Sequence, residues 1–162
     1  MASFDIKRKD GSVYTVLVDD ADYERVMAAG PWHVLALKGS KPLYVQRNVR
    51  GDGKKMHQTL HRFLLDAGDL DVDHINGDGL DNRRSNLRVA TRSENLRNKG
   101  PQRSNTSGFK GVSWAKRARK WESQIRVDGK RRHLGYHPTP EAAHAAYCRA
   151  ARELHGDFAR TA

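Results

Sequence analysis

The sequence predicts an α+β protein built from small sheets and short helices rather than around one large core. Only 37% of its 162 residues are hydrophobic and 30% are charged, which favours small, separate cores. Asp-Gly turns recur between β-forming runs, and N-cap patterns indicate helices in the middle and near the C-terminus. The chain therefore divides into a β-rich N-terminal platform, a strand–loop–strand–helix centre and a C-terminal sheet with one helix.

In the platform, two β-forming runs in 4–18 flank the turn Lys9–Ser12, which predicts a hairpin. A short helix is expected over 21–28, because Asp19-Asp20 offers an N-cap and Gly30-Pro31 ends the pattern. Two further strands are predicted over 32–37 and 43–49. A helix is predicted over 60–65 from its i, i+3, i+4 apolar stripe.

The centre begins with a predicted strand that carries Asp73 and His74. A turn-rich segment follows, and a second strand is predicted over 87–89. Thr91 and Glu94 have the spacing of a capping box, which starts a helix over 92–99 and places Asn95 in its first or second turn.

Residues 100–107 are polar and contain Gly, Pro and Ser, which is typical of a linker. Three short strands are predicted beyond it, over 109–114, 121–127 and 131–135. A helix should begin after Thr139, with Pro140 at its first position, and continue to about His155. Its apolar stripe is mostly alanine, so the helix can pack closely on a small sheet: Ala142, Ala143, Ala146, Tyr147, Ala150 and Leu154.

The charge distribution indicates a polyanionic partner. The formal net charge is +11, and residues 101–162 hold 13 Lys and Arg against 5 Asp and Glu. Nucleic acid is the usual partner of so basic a chain. A single cysteine, Cys148, excludes intrachain disulfides and a cysteine-based zinc site, and no apolar run suggests a membrane or a signal peptide. We therefore expect an intracellular, cytoplasmic protein with no membrane partner and no small-molecule cofactor.

The centre has the residue types needed to cut a phosphodiester. Mg²⁺ prefers oxygen ligands and keeps several waters, so Asp73 and the amide oxygen of Asn95 suffice if strand and helix face each other. His74 has the chemistry of a general base, and Asn86 can hold its other ring nitrogen. The alternative is that the Asp-His pair is accidental and the neighbouring asparagines only form turns.

The same run closely resembles the HNH nuclease family, in its homing-endonuclease branch, which is found in phages and mobile introns and implies a bacterial or phage-infected host. The likeness covers about 57–99 and includes Leu60-His61-Arg62, Val72 to Gly77, Asp81-Asn82, Ser85 to Arg88 and Thr91 to Asn95. It implies a ββα-metal fold with one divalent cation, Mg²⁺ or Mn²⁺, per active site. It also implies Asp73 and Asn95 as metal ligands, His74 as general base and Asn86 as the residue that orients it. The last name-giving position holds asparagine rather than histidine.

Four residues of this region have less specific predictions. His61 and Arg62 are candidates for phosphate contact, although packing is an equal alternative for His61. Asn82 and Asn98 are alternative metal ligands if the alignment is shifted.

Residues 108–158 resemble the DNA-binding domain of plant ethylene-response factors. That family folds as a three-stranded antiparallel sheet packed on one helix, and its sheet enters the major groove. The resemblance implies strand contacts to DNA by Lys110, Trp114, Gln124, Arg126, Arg131 and His133. Four residues of the first hairpin turn are expected to grip phosphates: Lys116, Arg117, Arg119 and Lys120. Packing is an alternative for Trp114 and is favoured for Trp121.

We therefore expect an HNH endonuclease domain over 1–99 (platform 1–56, core 57–99), a linker over 100–107 and a DNA-binding domain over 108–162. The predicted function is site-specific hydrolysis of double-stranded DNA by a homing-type enzyme. One site per chain favours a nicking monomer, although a homodimer stays open. The alternatives are a DNA-binding regulatory or packaging protein with a vestigial HNH region, and a non-homing phage or restriction nuclease.

Overall fold

A computed structural model describes residues 1–35, 43–51, 53–101 and 104–161. Two compact units divide the chain, the first over Met1–Thr91 and the second over Arg92–Ala162. The mixed α+β class of small sheets is confirmed. The division falls before the helix that carries Asn95, whereas the sequence suggested a linker over 100–107; the predicted domain boundaries stay a prediction.

The first unit opens with the predicted hairpin, β1 (Ala2–Lys7) and β2 (Val13–Val18), followed by α1 (Asp20–Ala29). An antiparallel sheet of order β3-β4-β5 comes next, and then the helix α2. Their bounds are β3 (His33–Leu35), β4 (Tyr44–Gly51), β5 (Lys54–Thr59) and α2 (Leu60–Leu65). The predicted end of the third strand, 36–37, lies outside the described residues.

Strand β5 was absent from the sequence-based prediction. Five of its six residues are polar and four of the six are exposed, so no apolar alternation marks it. Pairing with β4, from Gln46↔Thr59 to Gly51↔Lys54, is what makes it a strand.

The centre pairs β6 (Asp71–His74) with β7 (Leu87–Ala90), in an antiparallel register that sets Asp73 opposite Arg88. The loop between them ends in a 3₁₀ turn at Arg84–Asn86. Its Gly79 lies so close to the backbone of Leu43 that an added Cβ would come within 1.9 Å of the carbonyl oxygen, so only glycine fits there. The loop is thereby pressed against the start of β4.

The core of the first unit joins these elements. Val16, Val18, Val26, Val45 and Leu60 are fully or almost fully buried, and they come from β2, α1, β4 and α2. The hairpin and the sheet thus form a single support for the β6–β7 centre.

The second unit begins with α3 (Arg92–Asn98), as the capping-box pattern predicted to within one residue. A sheet of order β10-β9-β8 and the helix α4 follow. Their bounds are β8 (Val112–Ala115), β9 (Lys120–Val127), β10 (Lys130–His137) and α4 (Pro140–His155). The side chain of Thr139 caps α4 by accepting from the amide of Ala142, and Gly156 follows its last residue.

Two details of this unit differ from expectation. Strand β8 begins at Val112 rather than at Phe109, because Gly111 has a positive φ of 74° and breaks the extended backbone. An added Cβ on Gly111 would lie 2.2 Å from the ring of Tyr147, so the turn packs directly on α4. The buried stripe of α4 also extends to Ala151 and His155, which were not predicted.

Within the described ranges, none of the helices combines the length and the apolar character needed to cross a bilayer.

Candidate active site

Asp73 and His74 are neighbours on β6, and both are buried, with 6% and 5% of their surface exposed. Successive side chains of a strand point to opposite faces, so the two residues enter different surroundings. Arg88 lies across the strand pair and donates from both Nε and Nη2 to Oδ2 of Asp73, at 3.0 and 2.8 Å. The Asp73 carboxylate is therefore held in a fixed place by a cation.

His74 lies in a cluster of three rings with Tyr44 and His61. The His61 and His74 ring centroids are 5.0 Å apart at an interplanar angle of 88°, an edge-to-face contact. Tyr44 lies 5.7 Å from His61 and 5.9 Å from His74. Strand β4, helix α2 and strand β6 thus contribute one ring each.

The tautomer of His74 follows from its neighbour Asn82. The Nε2 atom lies 3.4 Å from Oδ1 of Asn82, and an amide oxygen can only accept a hydrogen bond. The proton of the neutral ring is therefore on Nε2, and Nδ1 is its basic nitrogen. A hydrogen bond that holds one ring nitrogen is also the contact that orients a histidine general base.

Burial keeps both histidines in the neutral form. It lowers the pKa of His74 below the usual 6.5, while Asn82 and the nearby carboxylates Asp73, Asp78 and Asp81 act in the opposite direction. It lowers the pKa of His61 to about 3, aided by His74 and Arg62. Both rings are therefore uncharged near pH 7, and a base must be uncharged to accept a proton.

Asn86 directs its hydrogen bonds into the loop between β6 and β7. Its Oδ1 accepts from the amide of Asn76 at 3.0 Å, and its Nδ2 donates to the Asn76 side chain and to the carbonyl of Asp81. Asn76 also donates to Asp81 Oδ2 at 3.0 Å. These bonds fix the loop on which Asn82 sits. The orienting role for Asn86 stays a prediction, and the contact between Asn82 and His74 was not foreseen.

Asn82 was predicted as an alternative metal ligand, and it is 1% exposed. Its backbone amide donates to the carbonyl of Leu17, and Leu17 in turn donates to Leu80, so β2 clamps the loop. One sequence signal pointed to this residue, the Asp81-Asn82 pair within the HNH-like run.

The predicted metal ligands belong to different units, Asp73 to the first and Asn95 and Asn98 to the second. Among the described residues no group of three or more His, Cys, Asp and Glu side chains could hold a metal ion. The predicted site has only one carboxylate and one amide oxygen. These are nevertheless oxygen donors of the kind that Mg²⁺ accepts, and Mg²⁺ keeps several waters as further ligands. The donor types thus fit a divalent cation, and the ligand assignment stays a prediction.

His61 and Arg62 differ in their surroundings. His61 Nε2 lies 3.0 Å from Oγ1 of Thr59, and its buried Nδ1 has no hydrogen-bond partner in the described part of the chain. Arg62 donates to the carbonyls of Gly68 and Leu70 and so holds the turn that leads into β6. Phosphate contact by either residue stays a prediction.

In the second unit, four of the predicted DNA contacts share one face of the sheet. The register pairs Arg131 with Arg126 and His133 with Gln124, and cross-strand partners project to the same side. The opposite side carries Ser123 and Ile125, which are buried under α4. We call the residues Glu122, Gln124, Arg126, Arg131, His133 and Tyr136 the outer face.

A hydrogen bond also links two residues of the outer face. His133 Nδ1 lies 2.9 Å from Oε1 of Glu122, and the His133 ring contacts Tyr136 at 4.7 Å between centroids. Arg126 and Arg131 are both exposed. The face thus presents cations and hydrogen-bonding groups to solvent, which suits nucleic acid.

Trp114 lies away from the outer face. It pairs with Trp121 in the register, and the two rings meet at 5.2 Å on the side of the sheet that faces α4. Trp121 is partly buried and Trp114 is 45% exposed. The pair therefore lies on the side of the sheet opposite the outer face, and a DNA contact by Trp114 stays a prediction.

Lys110 was predicted to lie on a strand, and this is wrong because the positive φ of Gly111 places it in the preceding turn. Its Nζ donates to the carbonyl of Arg97 in the last turn of α3. Burial and the neighbouring Arg160 lower the pKa of Lys110 to about 8. Lys116, Arg117 and Arg119, by contrast, lie in the β8–β9 turn, and Lys120 is the exposed first residue of β9.

Comparison with known proteins agrees with both halves of this description. Residues 65–97 match the HNH endonuclease family model, and residues 107–157 match that of the AP2 domain. The chain is 40% identical to Protein 3.8 of Escherichia phage T7 over 89 residues, which cover 55% of this chain and 73% of that protein.

A second relative is named an uncharacterized HNH endonuclease of Acanthamoeba polyphaga mimivirus. It is 31% identical over 108 residues, which cover 65% of this chain and 55% of the relative. No solved structure matches the chain.

Proposed function

Because the chain belongs to the HNH endonuclease family and carries an AP2 domain, we propose that it is a site-specific, homing-type endonuclease acting on double-stranded DNA. The observation that carries the proposal is the environment of His74. Its ring is buried and neutral, is held at Nε2 by Asn82, and lies next to Asp73 in the chain. Such a group can take a proton from water at a phosphodiester.

The reaction assigned to the site is hydrolysis. The Nδ1 atom of His74 removes a proton from water, whose oxygen attacks phosphorus as the bond to the 3′-oxygen breaks. The products are a 5′-phosphate and a 3′-hydroxyl, with the leaving oxygen taking a proton from solvent. The amide oxygen of Asn82 accepts the hydrogen bond from the protonated Nε2, which holds the ring in one orientation through the transfer.

Asp73 and Asn95 are the residues that would hold one divalent cation, Mg²⁺ or Mn²⁺. Such an ion would supply positive charge to neutralise the phosphate and the leaving oxygen. Arg88 fixes the Asp73 carboxylate through Oδ2, so this carboxylate is positioned before DNA arrives. The network of Asn76, Asp81 and Asn86 holds the loop over the site.

The AP2 domain supplies selectivity in this proposal. Its outer face presents Arg126 and Arg131 on paired strands, where a bidentate contact to guanine is worth roughly 1–3 kcal/mol of discrimination.

One site per chain makes one cut per binding event, so a monomer nicks and a double-strand break requires a dimer. A strand-resolved cleavage assay at increasing protein concentration distinguishes the two.

The decisive experiment compares wild type with His74→Ala on a genomic DNA library, in Mg²⁺ and in chelator. We expect wild type to produce discrete ends only in Mg²⁺, and the variant to bind DNA equally well without cutting. If neither protein cuts while both bind, the chain is a DNA-binding protein with a vestigial HNH region. If cleavage is random in sequence, the site-specific part of the proposal fails.

A further inference from the structure

Strands β4 and β5 continue as a pair beyond the end of their neighbour β3. Strand β3 pairs only with Tyr44–Gln46 of β4, as Leu35↔Tyr44, Val34↔Val45 and His33↔Gln46. From Arg47 to Gly51, β4 pairs with β5 alone in the described structure. This part of the hairpin is a two-stranded ribbon that projects from the platform.

The ribbon is basic and exposed. Six residues of its two strands are exposed in the described structure: Asn48, Arg50, Lys54, Lys55, Met56 and His57. Residues 44–59 contain four Lys and Arg against one acidic residue, Asp52. A two-stranded hairpin is only marginally stable by itself. The exposed cations on this one suggest a surface that binds a polyanion.

The register separates two faces of the ribbon. The cross-strand pairs Arg50↔Lys55, Asn48↔His57 and Gln46↔Thr59 share one side. We call these six residues the ribbon face; Gln46 is buried at its base, where β3 also pairs, and the exposed members are Asn48, Arg50, Lys55 and His57. The other side carries Arg47, Gln58, Val49, Met56 and Lys54.

The ribbon face leads directly to the candidate active site. Thr59 closes the face at its base, and its Oγ1 lies 3.0 Å from Nε2 of His61. The His61 ring in turn meets the ring of His74 at 5.0 Å. Lys55 is four residues from Thr59, which at a strand rise of about 3.3 Å per residue is roughly 13 Å along the ribbon.

On the opposite side of the ribbon, the residues nearest the platform pack against the first unit. Arg47 donates to Gln58 Oε1 from Nε and Nη2, at 2.9 and 2.7 Å, and to the carbonyl of Ala29. Its guanidinium also lies over the rings of Trp32 and Phe63. Arg47 thus has a structural role, and Lys54 is the exposed cation of that side within the described residues.

We propose that the ribbon face binds the DNA backbone and holds the cut strand against His74. The inference rests on the proposed role of His74. It adds a second DNA-binding surface, within the nuclease unit itself and separate from the AP2 sheet. Arg, Lys and Asn are side chains that bind DNA phosphates, and a β-ribbon has the width to enter the major groove.

The neighbouring lysines Lys54 and Lys55 allow a matched test, because they have equal charge, are both exposed and lie on opposite faces. The test measures binding to a short duplex that contains the mapped cleavage site. Four full-length proteins are compared: wild type, Lys54→Gln, Lys55→Gln and the double variant Arg50→Gln/Lys55→Gln. Binding is measured in chelator over a series of salt concentrations. Thermal unfolding checks that each variant folds like wild type.

We expect Lys55→Gln to weaken binding about 3-fold to 10-fold. The double variant Arg50→Gln/Lys55→Gln should weaken binding further. The slope of log affinity against log salt should fall by about one for each phosphate that a variant no longer binds. Lys54→Gln should change affinity less than about twofold, and Lys55→Arg should restore wild-type binding.

Equal losses of affinity in Lys54→Gln and Lys55→Gln would overturn the inference, because they would show a response to net charge alone. An unchanged salt slope in the double variant would overturn it as well. Since no cut is made in chelator, binding can support the ribbon even if His74 proves not to be the base. Conversely, if His74→Ala abolishes cleavage while the ribbon variants bind DNA like wild type, the proposed function stands and the inference about the ribbon fails.

Discussion

The polar groups of the HNH centre and those of the AP2 sheet are arranged in opposite ways. Asp73, His74 and Asn82 are all at most 6% exposed, and each has a fixed partner. Arg126 and Arg131 are exposed on the outer face of their sheet. Buried groups with defined geometry suit a reaction, because small displacements change its rate. Exposed cations suit attraction to DNA, because they adapt to the partner and respond to salt.

The largest effect should follow from changing the carboxylate of the centre. Asp73→Asn keeps the size of the side chain but removes the charge that would hold the cation. We expect single-turnover cleavage to fall by roughly a thousandfold, or about 4 kcal/mol. Cleavage rates over a range of Mg²⁺ concentrations measure it. The control is Asp71→Asn, two residues earlier on the same strand. Equal reductions in both variants would refute a specific role for Asp73.

The burial of His61 should appear as a pH dependence of stability. Its pKa is about 3 in the folded chain and about 6.5 when unfolded, so below pH 6.5 the unfolded state binds more protons. The group therefore costs no stability above pH 6.5 and costs progressively more as pH falls towards 3. We expect about 3 kcal/mol less free energy of unfolding at pH 4 than at pH 7 from this group.

Urea denaturation followed by tryptophan fluorescence, at a series of pH values, measures this change. His61→Gln should show a shallower decline in unfolding free energy over the same pH range. Equal slopes in the two proteins would mean that His61 is solvated. The lowered pKa of His74 acts in the same direction, so the variant should retain part of the decline.

Sequence patterns predicted the elements whose apolar residues are periodic or whose ends are capped. Helix α4 lies where Thr139, Pro140 and Gly156 place it, and α2 has the predicted bounds. Strand β5 could not be predicted, because its pairing with β4 rather than its own polar residues makes it a strand. The resemblance selected Asp73 and His74, but the bond from His74 to Asn82 depends on how the loop folds back, which spacing does not encode.

On the AP2 sheet, Arg131 and Arg132 provide a comparison of the two faces. Both are exposed, but Arg131 pairs with Arg126 on the outer face and Arg132 pairs with Ile125 on the other. Arg131→Ala should weaken binding to the preferred site about 10-fold to 100-fold and relax its sequence preference. Arg132→Ala should have a much smaller effect. Competition binding against randomised duplexes measures both, and reversed effects would show that the outer face is not the reading surface.

The smallest effects on binding are expected from two lysines that the sequence assigned together to DNA. Lys116 is exposed in the β8–β9 turn, so Lys116→Gln should weaken all duplexes alike, about threefold, and lower the salt slope by about one. Lys110 donates to the Arg97 carbonyl at the end of α3 and is largely buried. Lys110→Gln should therefore lower the thermal stability of the second unit and leave the salt slope unchanged. A lowered salt slope for Lys110→Gln would show that its ammonium leaves Arg97 to meet phosphate, and the lysine would then belong with the exposed cations.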